Sequence, residues 1–130
     1  MKRKFLIEAK HLKYAYRKNS SNWILNGMNV NIGADEYILV CGASGSGKST
    51  LCRTFNGLIP HFYCGTISGE IRVAGLSIME QSVASLFATV GMVSQNAEAQ
   101  LFNNTVEKEI AFGLESLGLP RSEIKRKIAS

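Results

Sequence analysis

The fold is decided by one stretch of the chain, Tyr37-Ile38-Leu39-Val40-Cys41-Gly42-Ala43-Ser44-Gly45-Ser46-Gly47-Lys48-Ser49-Thr50. Its first five residues form an uninterrupted apolar run, which is typical of a strand covered on both faces. Helical spacing begins at Lys48 and is expected to end near Gly57, because Gly57 and Pro60 are residues that stop a helix. A strand, a glycine-rich loop and a helix in direct succession predict an α/β domain.

The loop itself has the composition of a phosphate cradle. Its spacing, Gly42-x-x-x-x-Gly47-Lys48-Ser49, matches the P-loop without departures. Glycines reach positive φ and let backbone N–H groups converge on an anion, and the helix N-terminus adds partial positive charge. We expect the Lys48 ammonium on the β- and γ-phosphates, in a catalytic role, and the Ser49 hydroxyl on Mg²⁺. The predicted ligand is ATP with Mg²⁺, bound by Gly42, Ala43, Ser44, Gly45, Ser46, Gly47, Lys48, Ser49 and Thr50.

The rest of the pattern surrounds this loop with short strands and helices. Strands are expected at residues 5–16, 23–32, 70–73 and 89–94, the third at a sheet edge and the fourth in the core. Helices are expected at residues 79–87 and 105–117 and after residue 120, with Thr105 and Ser122 as N-caps. Leu12, Tyr14 and Tyr16 share one face of the first strand. The predicted fold is an antiparallel β subdomain beside a P-loop core of parallel strands.

Composition excludes several other classes of protein. No apolar run approaches the roughly 18 residues of a membrane span, and the basic start at residues 2–4 is followed by Glu8 and Lys10 rather than a secretory segment. The net charge of +5 is concentrated at residues 1–4 and 121–127, so no nucleic-acid partner is expected. The three cysteines, Cys41, Cys52 and Cys64, lack metal or disulfide spacing and are interpreted as small buried side chains in the cytosol.

Beyond the loop, the chain resembles the N-terminal part of an ATP-binding-cassette (ABC) ATPase. The loop through Leu51 is similar to that family's form, and Val93-Ser94-Gln95-Asn96 is similar to its Q-loop. This resemblance implies that Gln95 is a catalytic ligand of Mg²⁺ and water that also senses a membrane partner. The segment Leu12-Lys13-Tyr14-Ala15-Tyr16 resembles the strand that stacks an aromatic ring on adenine. Tyr16 is the implied stacking residue, and Tyr14 remains an alternative.

Finer features resemble one branch of that family, the energy-coupling-factor ATPases. They are Phe55-Asn56-Gly57-Leu58-Ile59-Pro60-His61, Gln100-Leu101-Phe102 and the segment from Thr105 to Leu114. The resemblance implies import of vitamins or of cobalt or nickel ions. It also implies a transmembrane subunit contacted through the segment after Gln95, a second cassette as a dimer or fused partner, and a peripheral position on the inner face of the membrane.

Three motifs of a complete cassette are absent from this sequence: the signature, the acidic (Walker B) strand and the histidine switch. Ile67-Ser68-Gly69-Glu70 is rejected as a signature because it precedes Gln95. We therefore expect a cassette truncated before the signature and Walker B, with a β subdomain at residues 1–36, a P-loop core at 37–95 and the start of a helical subdomain at 96–130. Such a chain alone is not expected to hydrolyse ATP. The alternatives are a non-transport cassette acting on nucleic acid or ribosomes, and another P-loop kinase or NTPase.

Overall fold

The computed structural model describes residues 5–129, which divide into two compact units, residues 5–92 and residues 93–129. The first unit contains four strands and three helices, in the order β1 (Phe5–Ala15), β2 (Leu25–Gly33), α1 (Lys48–Phe55), α2 (Leu58–His61), β3 (Thr66–Val73), β4 (Leu76–Ser77) and α3 (Val83–Thr89). The second contains a short 3-10 turn and two helices, Ala97–Gln100, α4 (Val106–Ser116) and α5 (Arg121–Ile128).

The strands of the first unit form one antiparallel sheet in the order β2-β1-β3-β4. β1 lies in the interior of this sheet and pairs along its length with both β2 and β3. The prediction that residues 70–73 form an edge strand was wrong, because β3 is longer and lies between β1 and β4. The predicted antiparallel β region is confirmed, and it also takes in residues 66–77 from beyond the glycine-rich loop.

A β-bulge interrupts the alternation of β1. The register with both neighbouring strands shifts between Ala9 and Lys13, and His11 in this interval has a φ of 49°. Opposite the bulge lies Gly69, with a φ of 92°, whose missing Cβ would collide with the carbonyl oxygens of Lys10 and His11. Because of the extra residue, Ala9 and Leu12 are both buried although three positions separate them.

The core of the first unit forms where the sheet meets α1, α2 and α3. Its buried members are Ala9, Leu12, Tyr14, Leu25, Leu51, Phe55, Ile59, Ile71, Val73, Ile78 and Leu86. Helix α1 ends as predicted, since Gly57 follows it with a left-handed φ of 78°. Asn56, between α1 and α2, is fully buried: its side-chain oxygen accepts from the backbone N–H of Leu58, and its amide donates to the Met92 sulfur.

Two predicted core strands are not formed. Residues 37–41 and 90–94 have no strand partner within the described chain, and Thr89 belongs to α3. Instead of being covered, Tyr37 is 99% exposed, Leu39 79% and Val93 79%. A buried parallel strand requires hydrogen-bonded neighbours and a covered face, and the apolar composition of these segments does not supply them. The described residues therefore contain the antiparallel sheet but no parallel one.

The second unit is a pair of helices preceded by a short 3-10 turn. Thr105 caps α4 as predicted, its hydroxyl accepting the N–H of Lys108 at 3.3 Å. For α5 the prediction of Ser122 as N-cap was wrong, because the helix begins at Arg121 and its first carbonyl acceptor is Pro120. Proline has a φ already suited to the start of a helix, which moves the start two residues earlier than the serine suggested.

Candidate functional site

The loop between Cys41 and Lys48 depends on glycine at three positions. Gly45 and Gly47 have φ values of 79° and 95°, in the left-handed region that other residues rarely adopt. At Gly42 a Cβ would lie 2.7 Å from the Ser46 hydroxyl oxygen, so a side chain there would require Ser46 to move. The backbone therefore folds tightly back on itself, and the glycines of the motif have the steric role that the sequence predicted.

Helix α1 starts directly at the end of this loop, and its first turn leaves donors unpaired. The first i-to-i−4 bond of the helix runs from the N–H of Leu51 to the carbonyl of Gly47, at 2.8 Å. The N–H groups of Lys48, Ser49 and Thr50 precede this first donor and therefore have no i−4 acceptor within the helix. Three adjacent donors at the positive end of a helix dipole form a binding position for an anion.

The Lys48 ammonium is folded back over the loop. Its Nζ donates to the carbonyl oxygens of Gly42 at 2.8 Å and Ala43 at 2.7 Å, and more weakly to the Ser46 hydroxyl at 3.4 Å. A full positive charge is thus tethered beside the unpaired N–H groups of α1. The loop also borders an open cavity of about 180 Å³, whose other walls are Leu25, Met28, Val40, Cys41 and Leu51.

The two tyrosines at the end of β1 have different environments. Tyr14 is fully buried, burial raises the pKa of its phenol, and its hydroxyl donates to the Tyr63 carbonyl at 3.1 Å. Tyr16 lies just beyond the strand and is 39% exposed, with its ring packed perpendicular to Tyr14 at a centroid distance of 5.0 Å. Its hydroxyl shares a hydrogen bond of 3.1 Å with the hydroxyl of Thr50. Of the two rings, only that of Tyr16 has surface open to a ligand.

Arg53 completes this region, and sequence reasoning missed it. Its Nη1 donates to the Tyr16 hydroxyl at 3.0 Å, and its guanidinium lies 4.8 Å from the centroid of the Tyr63 ring. A signal was available, because Arg53 follows Thr50 by three residues on α1 and so shares its helix face. The loop, the first turns of α1 and the end of β1 are thus joined by direct side-chain contacts.

Gln95 belongs to the second unit, where its side chain is exposed. The residue before it is anchored locally: the N–H of Ser94 donates to the Gln100 side chain at 3.2 Å, and its hydroxyl donates to the Asn96 carbonyl at 3.2 Å. Its role as a ligand of Mg²⁺ and water remains a prediction.

The segment that follows Gln95 is held onto α4 by Glu109. This carboxylate accepts from the Asn103 side chain at 2.8 Å and from the backbone N–H groups of Asn103 and Phe102, and these bonds hold the pKa of Glu109 below its ordinary value. The rings of Phe102 and Phe112 pack edge to face at 4.7 Å. Several large apolar side chains nevertheless stay exposed here, namely Leu101, Phe102, Val106, Ile110 and Phe112.

The described residues hold neither a metal centre nor a membrane span, and their cysteines are exposed. Between residues 5 and 129 no cluster of histidine, cysteine and carboxylate side chains could hold a metal ion, and no helix has the length and apolar content to cross a bilayer. Cys41, Cys52 and Cys64 are free thiols, but all three are exposed. The interpretation of them as buried was wrong, because Cys52 lies on the outer face of α1 and Cys41 belongs to the uncovered apolar run.

Known proteins resemble this chain over nearly all of its length. An ABC transporter ATP-binding protein of Pyrococcus abyssi is 46% identical over 95% of this chain and 44% of its own length. An energy-coupling factor transporter ATP-binding protein of Latilactobacillus sakei is 39% identical over 95% of this chain and 42% of its own. The structure of cbiO1 from Clostridium perfringens, described as part of the ABC transporter complex cbiONQ, superposes with a TM-score of 0.75 at 30% identity, over 94% of this chain and 47% of that one.

The chain thus spans less than half the length of these relatives. The family model of ABC transporters matches residues 25–129, which include the whole glycine-rich loop and the Gln95 segment. On that match and on these relatives, the chain belongs to the ABC transporter family.

Proposed function

We propose that this chain is the nucleotide-binding part of the ATPase subunit of an ABC importer of the energy-coupling-factor type. The single observation that carries the proposal is the placement of Lys48, whose ammonium is tethered by Gly42 and Ala43 beside the unpaired N–H groups of α1. A cation and a row of backbone donors converging on one point are suited to a polyphosphate, because both contribute only where negative charge is concentrated.

Different residues of the loop would contribute different contacts to the phosphate groups. Residues 42–47 supply backbone N–H groups, with no Cβ at glycines 42, 45 and 47, and Lys48 supplies a mobile charge for the terminal phosphates. The Thr50 hydroxyl is already bonded to Tyr16, so Thr50 contributes to phosphate binding through its backbone N–H. In the complete protein these groups would stabilise charge that develops on the transferred phosphoryl group, which makes Lys48 the catalytic cation.

Mg²⁺ fits the donors that are present. The Ser49 hydroxyl is exposed in the first turn of α1, next to Lys48, and oxygen is the donor atom that Mg²⁺ prefers. Gln95 offers a second oxygen, as its resemblance to the Q-loop glutamine implies. When bound, the ion would neutralise phosphate charge and orient the β- and γ-phosphates.

Adenine is the base that the proposal assigns to Tyr16. The ring of Tyr16 is the exposed one of the pair and lies against Thr50, so a base stacked on it would be within reach of the loop. Tyr14 is fully buried and its hydroxyl bonds to the Tyr63 carbonyl, which supports its interpretation as a core aromatic. Stacking on one open aromatic face suits any planar base and favours a large one.

Two relatives support the importer assignment: the energy-coupling factor protein and the cbiO1 subunit. We propose that the exposed apolar residues Leu101, Phe102 and Val106, on the segment after Gln95, contact a transmembrane subunit. A second cassette, as a separate or fused partner, would complete the nucleotide site, and the assembly would lie on the inner face of the membrane. The proposed layout is a β subdomain to residue 36, a nucleotide-binding core to residue 95 and helical residues beyond.

The test is an uptake assay with the full-length gene in its own host. A strain lacking the gene is complemented with the wild type, with Lys48→Ala or with the control Lys10→Ala, which removes an exposed lysine of β1 outside the loop. Cells are then offered a panel of labelled vitamins and of cobalt and nickel ions. We expect the wild type and the control to restore uptake of one member of the panel and Lys48→Ala to fail.

Other outcomes contradict the proposal in distinguishable ways. Uptake that is unchanged by deletion for every member of the panel would contradict the importer assignment. A defect in translation or DNA repair in the deletion strain would favour the non-transport cassette, and full complementation by Lys48→Ala would contradict the role of the loop itself.

A further inference from the structure

A chain of side-chain contacts connects the phosphate loop with the ring proposed to carry adenine. Thr50, in the first turn of α1, bonds to the Tyr16 hydroxyl at 3.1 Å, and the same hydroxyl accepts from Arg53 Nη1 at 3.0 Å. We infer that Arg53 is a positioning residue, which fixes the ring of Tyr16 so that the base and the phosphates of one nucleotide are held in register. The inference rests on the proposed binding of ATP and assigns a role to a residue outside the P-loop motif.

Arg53 is itself held in place from a second side. Its guanidinium lies 4.8 Å from the centroid of the Tyr63 ring, a cation–π distance, while its Nη1 reaches Tyr16. Arginine is suited to this double contact because its planar guanidinium can face one aromatic ring and donate from its edge to another. The half-buried side chain therefore bridges two tyrosines that lie far apart in the sequence.

Tyr16 needs such support because little else restrains it. It follows the last residue of β1, so no strand pairing holds its backbone, and it is 39% exposed. Tyr14 and Tyr63 pack perpendicular to its ring at 5.0 and 6.3 Å, which restricts its tilt. The hydroxyl bonds to Thr50 and Arg53 then fix the far end of the ring, while the side chain remains partly exposed.

A ring that is fixed before binding loses less freedom when a base stacks on it. Arg53 is expected to touch no part of the reacting phosphates, so its effect should be confined to the contribution of the base. Phosphate binding by the loop does not depend on Arg53, because Lys48 is anchored by the carbonyls of Gly42 and Ala43. The two contributions can therefore be measured separately.

The experiment compares two probes on the full chain: Mg-ATP, and inorganic triphosphate with Mg²⁺, which has no base. Dissociation constants are measured by calorimetry for the wild type, Arg53→Met, Tyr16→Phe and the double variant. Arg72→Met serves as the matched control, since Arg72 is an exposed arginine of β3 that donates a hydrogen bond to the carbonyl of Gly75. Tyr16→Phe keeps the aromatic face and removes only the hydroxyl, so it tests the tether without altering the ring.

We expect Arg53→Met and Tyr16→Phe each to weaken Mg-ATP about three- to tenfold and to leave triphosphate unchanged. The double variant should bind no more weakly than the weaker-binding single variant, because both substitutions break the same bond between Arg53 and the Tyr16 hydroxyl. Arg72→Met should bind both probes like the wild type.

Two results would overturn the inference. One is that Arg53→Met keeps the wild-type preference for ATP over triphosphate; the other is that it weakens both probes equally, which would indicate a general structural role. Failure of the wild type to bind either probe would instead contradict the proposed nucleotide-binding function, and the inference with it.

Discussion

Removing the Lys48 ammonium should weaken nucleotide binding by an amount that the geometry of the loop sets. Of the three hydrogen-bond donors on Nζ, two are engaged at 2.8 and 2.7 Å with Gly42 and Ala43, and the third makes only a 3.4 Å contact with Ser46. A phosphate oxygen needs to displace only that longest contact. The gain is that of one charge-assisted hydrogen bond, about 1.5–3 kcal/mol, which corresponds to roughly ten- to 150-fold in Kd.

Calorimetric titration of Lys48→Ala with Mg-ATP measures this loss. Alanine has the highest helix propensity, so α1 should persist, and circular dichroism checks that it does. The carbonyls of Gly42 and Ala43 are exposed and can be solvated in the variant. Lys10→Ala, which removes the same charge from an exposed position on β1, is the control and should bind like the wild type.

A Kd for Lys48→Ala within twofold of the wild type would refute the reasoning. It would mean that the ammonium stays on its two carbonyls when nucleotide binds, and that the N–H groups of α1 supply the binding energy without it. A loss far above 150-fold, with α1 intact, would show that Lys48 also organises the loop through Gly42 and Ala43.

Three further outcomes are expected. Tyr16→Ala should weaken Mg-ATP by about 1–2 kcal/mol in the same titration, whereas Tyr14→Ala should chiefly lower the free energy of unfolding, by about 3–5 kcal/mol; the reverse pattern would move stacking to Tyr14. Because its bonds to Asn103 lower the pKa of Glu109, the stabilisation they give is present above the ordinary carboxyl pKa and lost as pH falls through the lowered one. The amide shift of Asn103 in NMR spectra should follow that titration and become pH-independent in Glu109→Gln. Phosphate release from the 130-residue chain with Mg-ATP should not exceed that of Lys48→Ala, since the sequence holds no acidic strand to orient the attacking water; steady Lys48-dependent turnover would contradict this.

Local signals in the sequence predicted α1, α4 and the strands β1 and β2 well, but not α2 or β4. The end of α1 at Gly57 and the cap of α4 at Thr105 follow from residue chemistry that acts within one turn. The apolar run at residues 37–41 was misread for the opposite reason. Its burial depends on strands and helices that lie elsewhere. An apolar pattern indicates that a segment should be buried, but it does not provide the elements that bury it.

The candidate site was predictable in part for the same reason. The geometry of the loop depends on its own glycines, since Gly45 and Gly47 have the positive φ values that the motif requires. Arg53 was not found because its function depends on Tyr16 and Tyr63, which reach it from other elements. Burial separated Tyr14 from Tyr16, and two positions on one strand face cannot be distinguished by alternation alone.

The bulge at His11 governs which way the end of β1 faces. Side chains on a strand alternate with a period of two, so one inserted residue reverses the phase of everything after it. With the insertion, Leu12 and Tyr14 are buried and Tyr16 reaches Thr50 on α1. If the same residues continued in regular alternation without the bulge, Lys13 would face the core and Tyr16 would turn away from Thr50. The backbone conformation at His11 therefore sets the direction of an aromatic ring five residues further along the chain.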